Sequence, residues 1–401
     1  MHDETFRYRR FLKIFAAGAI PIIVLVNIHV LFLWNAGETR PYTEVVSRQL
    51  ASNGLYLTSF ATSYYSYKLA LAQAVKPDIL VIGSSRTMQF RGDHFTVPLT
   101  NAAGSAQNWT VAQSFLDELV ATHSPKILLL GLEYNWFREE LYPHDVEKDE
   151  PTRLTQFKLR EPFRWIVDGK LSVPQYLAIA AGLVTKTPSG HTGMGIQALV
   201  RDKGFFSDGR MHYAPDDFPA TDPRTDSHFH DTLPYVEKGE KTFFFGRHVG
   251  QPNWERFEKF ARTCQEHGIE LVTYFPPLAR PLYDLLNKIE DRRVYVEELR
   301  AKLERFQGIE FYDLSNGTAL GSTDCEYYNG THAGDVAYSR ILLDISKKNP
   351  SSALAPFLNT DYLKRTIELY SGRAVAESGF AETDFLELGC NKRPIYTTAN
   401  P

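Results

Sequence analysis

The sequence predicts an α/β fold: a doubly wound parallel sheet with a large insertion and an N-terminal transmembrane helix. Short apolar runs of strand length alternate along the chain with segments whose apolar residues recur at the helical period. Alternating strands and helices with short connections are typical of a parallel sheet covered by helices on both faces. A long stretch without charge near the N-terminus predicts the transmembrane helix. With 401 residues, of which 43% are hydrophobic and 23% charged, the chain can bury a sizeable core.

The N-terminal stretch from residue 14 to residue 34 has no charged side chain. A helix of that length is about 30 Å long, which matches the hydrocarbon core of a bilayer. Three arginines and one lysine precede the stretch, whereas only Arg40 follows it closely. The positive-inside rule therefore predicts a single pass through the inner, cytoplasmic membrane, with the N-terminus inside and the remaining chain in the periplasm or another extracytoplasmic space. A cleaved signal peptide is the alternative, but its apolar core would be shorter, and no clear cleavage site follows Trp34.

Two strongly polar residues, Asn27 and His29, interrupt the apolar stretch. Such residues inside a membrane helix either serve a function there or face a partner helix. The sequence leaves both alternatives open.

The elements of the main domain follow one another in strand–helix order. Each predicted strand is an apolar run bounded by proline, glycine or polar residues, and each predicted helix has one apolar face. In chain order the predicted elements are a strand at 79–82, a small-residue turn at 100–104, a helix at 110–123, a strand at 127–132, a helix at 254–267, a strand at 270–275, a helix at 293–306, a strand at 309–314 and a helix at 336–347.

Between residues 138 and 241 the periodicity weakens, and prolines, aspartates, glycines and histidines accumulate. We interpret this segment as an insertion or cap over the edge of the sheet. The predicted organisation is a cytoplasmic tail at 1–13, the transmembrane helix at 14–34, a juxtamembrane helical region at 35–76, the α/β domain at 77–349 with its insertion at 138–241, and a C-terminal extension at 350–401.

The net charge and the positions of the cysteines limit which partners, metals and cofactors we expect for this chain. The net charge of -4 and the pI near 6.3 give no electrostatic case for binding nucleic acid. In an oxidising compartment Cys325 and Cys390 are the pair to test for a disulfide, whereas Cys264 lies on an apolar helical stripe and is expected to be a buried thiol. No cysteine has metal-ligand spacing, and His228 and His230 match no strong metal site, so we expect neither metal nor cofactor.

Two polar turns carry the chemistry. Gly83-Ser84-Ser85-Arg86 directly follows the strand at 79–82, and Asn329-Gly330-Thr331-His332 lies far downstream. A serine hydroxyl needs a base within hydrogen-bond reach, and a histidine is such a base near neutral pH. Groups at the carboxyl ends of the strands of a doubly wound sheet converge at one crevice. We therefore expect Ser85 to be a nucleophile and His332 its base.

These motifs resemble the conserved blocks of the SGNH (GDSL-like) hydrolase superfamily, over roughly residues 77–135 and 250–347. The first block of that family holds its nucleophile in Gly-Asp-Ser, and here Ser84 replaces the aspartate. The replacement is usual in the membrane-anchored branch that acts on cell-envelope polymers, which includes the D-alanyl transfer protein and the alginate O-acetylation proteins. The second block is similar to residues 101–104. The third, Gly-x-Asn-Asp, is Gly-Leu-Glu-Tyr at 131–134 here, and the fifth, Asp-x-x-His, has Asn329 in place of the aspartate.

The resemblance implies a flavodoxin-like fold and an oxyanion hole. Its donors would be the N–H groups of Ser85 and Gly104, with Asn135 or Asn108 replacing the asparagine missing from block three. Asn329 would be the third catalytic residue. It can orient the imidazole but carries no charge, so a weaker base is expected. The nearby carboxylates Asp324 and Asp335 or a backbone carbonyl are the alternative supports for His332.

Further residues near the predicted site are candidates for binding substrate. Arg86 either clamps an anionic substrate group or pairs with Glu133. Trp109 and Tyr134 either stack on sugar faces or pack in the core, as does Trp136.

The resemblance implies an acyltransferase or esterase that acts through a serine nucleophile on O-acyl groups of an exported cell-envelope polysaccharide. The expected partners are that polysaccharide or another acylated glycan and a membrane O-acyltransferase of the MBOAT type. The alternative is a weak or inactive SGNH-like scaffold that binds envelope polymers for modification or export, which the changes at Asn329 and in block three favour. A soluble secreted lipase, a third interpretation, is disfavoured by the anchor.

Overall fold

The computed structural model describes residues 2–59, 63–140, 146, 148, 150–214 and 226–396, with side chains from Tyr8 onward. The chain forms two compact units, the first built from residues 1–61 and 150–204 and the second from 62–149 and 205–401. The helices are α1 (His2–Ala36), α2 (Tyr42–Ser52), α3 (Tyr65–Val75), α4 (Trp109–Val120), α5 (Gln156–Val167), α6 (Val173–Ala180), α7 (Ile196–Arg201), α8 (Leu233–Lys238), α9 (Gln251–Glu266), α10 (Arg280–Lys288), α11 (Glu290–Arg305), α12 (Asp335–Lys348) and α13 (Thr360–Tyr370). The strands are β1 (Leu55–Tyr56), β2 (Ile79–Ile82), β3 (Leu99–Asn101), β4 (Ile127–Gly131), β5 (Gly193–Met194), β6 (Gly204–Phe205), β7 (Met211–His212), β8 (Glu270–Phe275), β9 (Glu310–Asp313), β10 (Tyr327–Asn329) and β11 (His332–Ala333).

The first unit is organised around α1, which contains the whole uncharged stretch 14–34. From Tyr8 to Ala36 this helix is long and apolar enough to cross a membrane, with a mean hydropathy of 2.3. Most of its surface is exposed, and its buried part is the C-terminal end, where Phe32, Leu33 and Ala36 pack against α5 and α6. The structure therefore contains one N-terminal helix suited to a membrane anchor.

The second unit is a mixed α/β domain with a five-stranded sheet in the order β3-β2-β4-β8-β9. Each neighbouring pair of strands is parallel. Every residue of β2 and β4 is buried, as expected of central strands in a parallel sheet. The strands predicted at 79–82, 127–132, 270–275 and 309–314 are confirmed as β2, β4, β8 and β9.

The helix after the third strand illustrates how the sequence specifies the second unit. Asn108 begins α4 by accepting a hydrogen bond from the N–H of Val111 at 3.0 Å through its side-chain oxygen. Ala112, Phe115 and Leu119 follow on one buried face at helical spacing. The predicted helices at 110–123, 254–267, 293–306 and 336–347 are confirmed as α4, α9, α11 and α12.

Several elements of the second unit differ from the prediction, among them helices α8 and α13, which had none. The small-residue turn predicted at 100–104 begins inside an edge strand, β3, whose polar Thr100 and Asn101 do not form an apolar run. Asn101 satisfies its buried amide with the carbonyl oxygens of Thr87 and Phe90, at 3.1 and 2.9 Å. Helix α10 follows the two prolines that end β8 and had no sequence prediction.

The cysteine predictions are confirmed. Cys325 and Cys390 form a disulfide, with 5.8 Å between their Cα atoms, and Cys264 is a fully buried free thiol on α9. Burial raises the pKa of the Cys264 thiol to about 12, so this thiol is unreactive.

The predicted insertion at 138–241 contributes to both compact units. Residues 150–204 belong to the first unit, and 226–241 belong to the second. Parts of the predicted insertion, at 141–145, 147, 149 and 215–225, lie outside the described residues, as do Met1 of the predicted tail and 397–401 of the predicted extension.

Candidate active site

The serine turn begins where β2 ends. Gly83 has a φ of +153°, and a Cβ atom there would approach the Thr87 hydroxyl to 2.8 Å, so this position favours glycine. The Ser84 hydroxyl then accepts a hydrogen bond from the N–H of Arg86 at 3.1 Å and caps a short 3₁₀ turn. As a result Ser85 is exposed at the carboxyl end of a fully buried strand.

The histidine turn lies between β10 and β11, which pair antiparallel and place Asn329 opposite His332. The structure brings His332 to Ser85, with 2.9 Å between Nε2 of the imidazole and Oγ of the serine. The two residues are 247 positions apart in sequence. This is the distance of a direct hydrogen bond between a nucleophile and its base.

Asn329 determines which nitrogen of His332 carries the proton. Its Oδ1 accepts hydrogen bonds from the backbone N–H groups of Thr331 and His332, at 2.9 and 3.0 Å, so this side-chain atom must be the oxygen. The same Oδ1 lies 2.9 Å from Nδ1 of His332. Because only a protonated Nδ1 can donate to that oxygen, Nε2 is unprotonated and accepts from the Ser85 hydroxyl.

The carboxylates considered as alternative supports for His332 have other partners. Asp324 accepts from the N–H of Arg280 at 2.8 Å. Asp335 forms a buried ion pair with Arg91 at 2.5 Å and accepts from the N–H of Ala376 at 2.9 Å. The side-chain oxygens next to Nδ1 of His332 are instead Oδ1 of Asn329, at 2.9 Å, and the Thr331 hydroxyl, at 3.1 Å, and Asn329 is the closer of the two.

The surroundings of His332 favour its neutral form. Burial lowers its pKa to about 4, and the positive charges of Arg86 and Lys241 act in the same direction. The Glu133 carboxylate opposes this shift. At neutral pH the imidazole is therefore unprotonated and able to accept a proton.

A buried ionic network supports the serine turn from behind. Glu133 follows β4 and accepts hydrogen bonds from the hydroxyls of Ser84 and Thr242. Its other main contact is an ion pair with Arg86, with 3.0 Å between Nη1 and Oε2, and both side chains are almost fully buried.

The remaining donors of Arg86 bind backbone carbonyls: Nε donates to Thr331 at 2.9 Å and Nη2 to Pro276 at 2.8 Å. These contacts favour the pairing of Arg86 with Glu133 over the clamping of a substrate anion. They also connect the serine turn directly to the histidine turn.

The geometry corrects one predicted oxyanion donor. The N–H of Gly104 donates to the carbonyl oxygen of Gly83 at 2.8 Å and so is engaged within the fold. Asn108 caps α4 through its Oδ1, and it is not among the residues that line the cleft, although its Nδ2 has no hydrogen-bond partner among the described residues. Asn135 is half-buried and lines the cleft that contains Ser85. The N–H of Ser85 and the amide of Asn135 therefore remain the candidate donors.

Two predicted sugar-stacking residues are in the core. Trp109 is 1% exposed and packs against Trp136 and Phe137, with ring centroids 5.1 and 5.2 Å apart. Tyr134 is 1% exposed and packs against Phe275 at 4.9 Å. These contacts correct the assignment of Trp109 and Tyr134 to substrate binding. Trp136 lies at the edge of the cleft despite its burial.

The cleft over Ser85 and His332 has a volume of about 420 Å³. Its lining residues are Ser84, Ser85, Arg86, Gln107, Glu133, Asn135, Trp136, Asp226, Asp231, Thr232, Tyr235, Lys241, Thr242, Asn329, Thr331 and His332. No aliphatic side chain is among these described lining residues, so the cleft suits a polar ligand.

One wall of the cleft, from Asp226 to Thr242, had no functional prediction. Asp226 organises it: Oδ1 accepts from the N–H groups of Asp231 and Thr232, at 2.8 and 3.1 Å, and Oδ2 accepts from the Thr232 hydroxyl at 2.6 Å. Oδ2 also accepts from the N–H of Gly330 at 3.0 Å, inside the histidine turn. No local sequence pattern marks such a residue, because its donors are backbone groups brought together by the fold.

A metal site is not apparent at this cleft. Across the described part of the chain, no group of three or more histidine, cysteine, aspartate or glutamate side chains is arranged to hold a metal ion. Two of the three carboxylates that line the cleft, Glu133 and Asp226, are occupied by hydrogen bonds to neighbouring residues.

Comparison with family models and curated proteins gives no relative from which a role could be transferred. No protein-family model matches the chain, and no curated protein matches it at a significant level. The interpretation of the cleft depends on its own geometry.

Proposed function

We propose that the chain is a membrane-anchored serine esterase or O-acyltransferase of the SGNH type. The observation that carries the proposal is the chain of contacts from Ser85 through His332 to Asn329, with 2.9 Å at each step. It has the order nucleophile, base and orienting group that acyl transfer through a serine requires. Asparagine in the third position fixes the tautomer without adding a charge.

In the proposed reaction Ser85 Oγ attacks an acyl carbonyl while its proton moves to Nε2 of His332. The carbonyl oxygen becomes an oxyanion, which the N–H of Ser85 and the Asn135 amide would stabilise. Collapse of this intermediate breaks the ester bond, His332 protonates the leaving alkoxide, and an acyl-Ser85 ester remains. A second hydroxyl, from water or from a sugar, then gives its proton to His332 and attacks the acyl-Ser85 carbonyl. The bond from the acyl carbon to Ser85 Oγ breaks, and His332 returns the proton to Oγ, which restores the free serine.

The strand order supports the doubly wound, flavodoxin-like arrangement that the SGNH resemblance implies. Numbered along the sheet strands alone, β3-β2-β4-β8-β9 is the order 2-1-3-4-5. In that arrangement ligands bind where the connections from the first strand diverge, beyond the carboxyl ends of the strands. Ser85 follows β2, the first strand of this sheet.

The proposed substrate is an O-acyl group on an exported cell-envelope polysaccharide. A polar cleft without aliphatic lining suits a sugar carrying a small acyl group better than a long acyl chain. The anchor helix and the positive-inside rule support a single-pass protein with its N-terminus inside and the cleft outside the inner membrane. An MBOAT-type acyltransferase as donor partner rests on the family resemblance alone.

A non-catalytic scaffold for envelope polymers is the second candidate. The engaged N–H of Gly104 favours it, because this leaves the oxyanion hole with fewer backbone donors than the SGNH resemblance implies. Such a protein would bind an acylated glycan in the same cleft without turning it over.

Covalent labelling of the full-length protein with a fluorophosphonate separates the two candidates. A catalytic Ser85 is labelled, and both Ser85→Ala and His332→Ala abolish labelling and the hydrolysis of p-nitrophenyl acetate. His267→Ala is the matched control, because His267 is exposed at the end of α9 and bonds only within its own helix. Folded wild-type protein that resists labelling would favour the scaffold, and a Ser85→Ala variant with full activity would contradict catalysis by this serine.

A further inference from the structure

The helical hairpin α5–α6, which comprises residues 156–180 of the first unit, exposes an unusual amount of apolar surface. Phe163 is 47% exposed, Val167 86% and Leu177 48%. The sequence of α6 contains no charged residue. Soluble proteins seldom expose so many large apolar side chains on adjacent helices, so we expect this surface to be covered by a partner.

The hairpin is fastened to the C-terminal end of the anchor helix. His29 of α1 lies 2.9 Å from the Tyr176 hydroxyl through Nδ1, and Asn35 donates to the carbonyl oxygen of Ala180 at 2.9 Å. Between them, Phe32 stacks on Tyr176 with 4.4 Å between ring centroids. These three α1 residues are three positions apart and share one face of the helix. The hairpin therefore packs directly against the C-terminal part of α1.

The position along α1 at which the hairpin makes contact indicates how deep the hairpin would lie in a bilayer. At about 1.5 Å per residue, His29 lies about 8 Å before Trp34, the last large apolar residue of α1. Interfacial helices bury their apolar face about 5–10 Å into the boundary between headgroups and acyl chains. If α1 spans the membrane, α5 and α6 meet it at that depth.

The charge pattern on α5 fits the same location. Leu159, Phe163 and Val167 recur every four residues and form an exposed apolar stripe. Arg160 and Arg164 are each one position further on, so they form a basic stripe beside the apolar one. Arg164 lies 3.8 Å from Glu161 and 3.7 Å from Asp168, which are long ion pairs, and Arg160 has no ion pair with any described residue. Basic residues flanking an apolar face are typical of helices that lie on lipid.

We infer that the α5–α6 hairpin is a second membrane attachment. It lies in the lipid interface beside α1, with Leu159, Phe163 and Val167 among the acyl chains and its two arginines at the lipid phosphates. The hairpin would fix the rotation and depth of α1, so that its polar His29 faces protein and not lipid. This inference is independent of the proposed catalytic function.

Fluorescence quenching of the full-length protein in lipid nanodiscs tests the inference. The nanodiscs contain equal amounts of phosphatidylcholine and phosphatidylglycerol, with a doxyl quencher on the acyl chain of a fraction of the lipid. An environment-sensitive fluorophore is attached to Val167→Cys or Leu177→Cys. The native thiols do not interfere, because Cys264 is buried and the other two cysteines form a disulfide.

Two variants in the first unit calibrate the quenching. Val30→Cys, on an exposed face of α1, is the lipid-embedded control, and Arg48→Cys on α2 is the water-exposed control. We expect both hairpin probes to be quenched at least half as strongly as the Val30 probe and several-fold more than the Arg48 probe.

Quenching no greater than that of the Arg48 probe would overturn the inference. If the apolar surface instead docks onto a membrane protein, the purified protein would give that same negative result, and the unlabelled Val167→Cys and Leu177→Cys thiols would be protected from a water-soluble maleimide only in native membranes. Val167 is so exposed that its replacement cannot disturb packing, so a negative result at this position is not explained by misfolding.

Discussion

The two turns that meet at the cleft are held in different ways. The serine turn rests on a buried ionic network, in which Glu133 accepts from Ser84 and pairs with Arg86. At the histidine turn the imidazole is oriented by a neutral atom, Oδ1 of Asn329, which accepts from the backbone N–H groups of Thr331 and His332 and from Nδ1 of the imidazole. The Asp226 carboxylate supports the same turn further from the ring, at the N–H of Gly330. The serine turn is thus held by an ion pair, whereas the side chain that orients the imidazole is neutral.

This difference shows that one residue orients the imidazole of His332 while another provides the negative charge near it. In a site with an aspartate, one side chain both orients the imidazole and stabilises its protonated form. Here Asn329 orients it, and the negative charge nearest the imidazole belongs to Glu133, whose pairing with Arg86 largely cancels it. Arg86 also donates to the carbonyl oxygen of Thr331 at 2.9 Å, so the ionic network supports both turns. We therefore expect variants that remove the charged support to lose mainly stability, and variants that remove the orienting acceptor to lose mainly activity.

Removal of the ionic support should have the largest effect on stability. Glu133→Ala leaves the buried guanidinium of Arg86 without its partner, and breaking a buried ion pair typically costs about 3–5 kcal/mol. It also removes the carboxylate that opposes the lowered pKa of His332, so that pKa should fall further. Urea unfolding measures the first effect and the pH dependence of any residual activity the second.

A surface pair is the matched control for this prediction. Arg293 and Glu297 form an exposed ion pair one helical turn apart on α11, at 3.0 Å. Glu297→Ala should change the free energy of unfolding by less than about 0.5 kcal/mol. Equal losses in the two variants would mean that the buried network contributes nothing special to the serine turn.

Removal of the orienting acceptor should affect catalysis far more than stability. Asn329→Ala removes the closer acceptor of Nδ1 and leaves only the Thr331 hydroxyl, at 3.1 Å, so the imidazole can more readily adopt the tautomer that cannot accept from Ser85. Loss of the correct tautomer in a related arrangement costs about 10⁴-fold in rate, so we expect a decrease of at least about 100-fold. The measurement is kcat for p-nitrophenyl acetate, or the rate of fluorophosphonate labelling.

Asn329→Asp provides the converse variant. It retains the acceptor oxygens and adds a charge beside the imidazole, so it should keep the orientation and raise the pKa of His332. An Asn329→Ala protein with wild-type kcat would show that the turn orients His332 without this side chain.

Much of this comparison could be predicted from the sequence. The strands β2 and β4 are unbroken apolar runs, so their positions and the exposed end at Ser85 followed from local pattern. The sequence also predicted the pairing of Ser85 with His332, because strand ends converge at one edge of a parallel sheet, but His332 reaches that edge from the turn of the separate β10–β11 pair.

The remaining features depend on contacts that no local pattern encodes. Thr100 and Asn101 are polar, so the short edge strand β3 is not visible as an apolar run. The engagement of the Gly104 N–H and of the Arg86 guanidinium depends on carbonyl oxygens brought close only by the fold. The same is true of Asp226, whose four donors come from two separate turns. Trp109 and Tyr134 are buried in the core and cannot stack on a sugar. The sequence could not show this, because closeness to a site in sequence does not determine which way an aromatic side chain points.

The charge distribution around the histidine turn also predicts an unusual pH dependence. With its pKa lowered to about 4, His332 stays neutral as the pH falls through the value of about 6.5 expected of a free histidine. The activity kcat/KM should therefore remain flat from neutral pH to about 5 and fall to half near pH 4. In Asn329→Asp this acid limb should move to higher pH, and a wild-type limb near 6.5 would contradict the lowering of the His332 pKa by burial and by the nearby positive charges.

Like the activity, the stability of the folded protein should decrease as the pH falls from about 6.5 to about 4. Between about pH 4 and 6.5 the unfolded chain protonates His332 while the folded protein does not, so the unfolded state binds more protons. The contribution of this residue is therefore present above pH 6.5 and is lost as the pH falls towards 4. The difference between the urea midpoints of wild type and His332→Gln should therefore be constant above pH 6.5 and should change as the pH falls below that value.

The smallest expected effect concerns the second acceptor of the histidine turn. Asp226→Asn keeps one oxygen for the N–H groups of Asp231 and Thr232, but the new amide cannot accept from the N–H of Gly330. Loss of one such bond costs about 1–2 kcal/mol, part of which appears as a looser histidine turn. Since Asp226 acts on the turn and not on the reacting atoms, kcat should fall several-fold while the acid limb near pH 4 stays in place. Asp361→Asn, at an exposed position on α13, removes the same charge without touching the cleft and should leave kcat unchanged. A shift of the acid limb in Asp226→Asn would show that the carboxylate acts on His332 through its charge, and the contrast between a charged serine turn and a neutral histidine turn would then have to be abandoned.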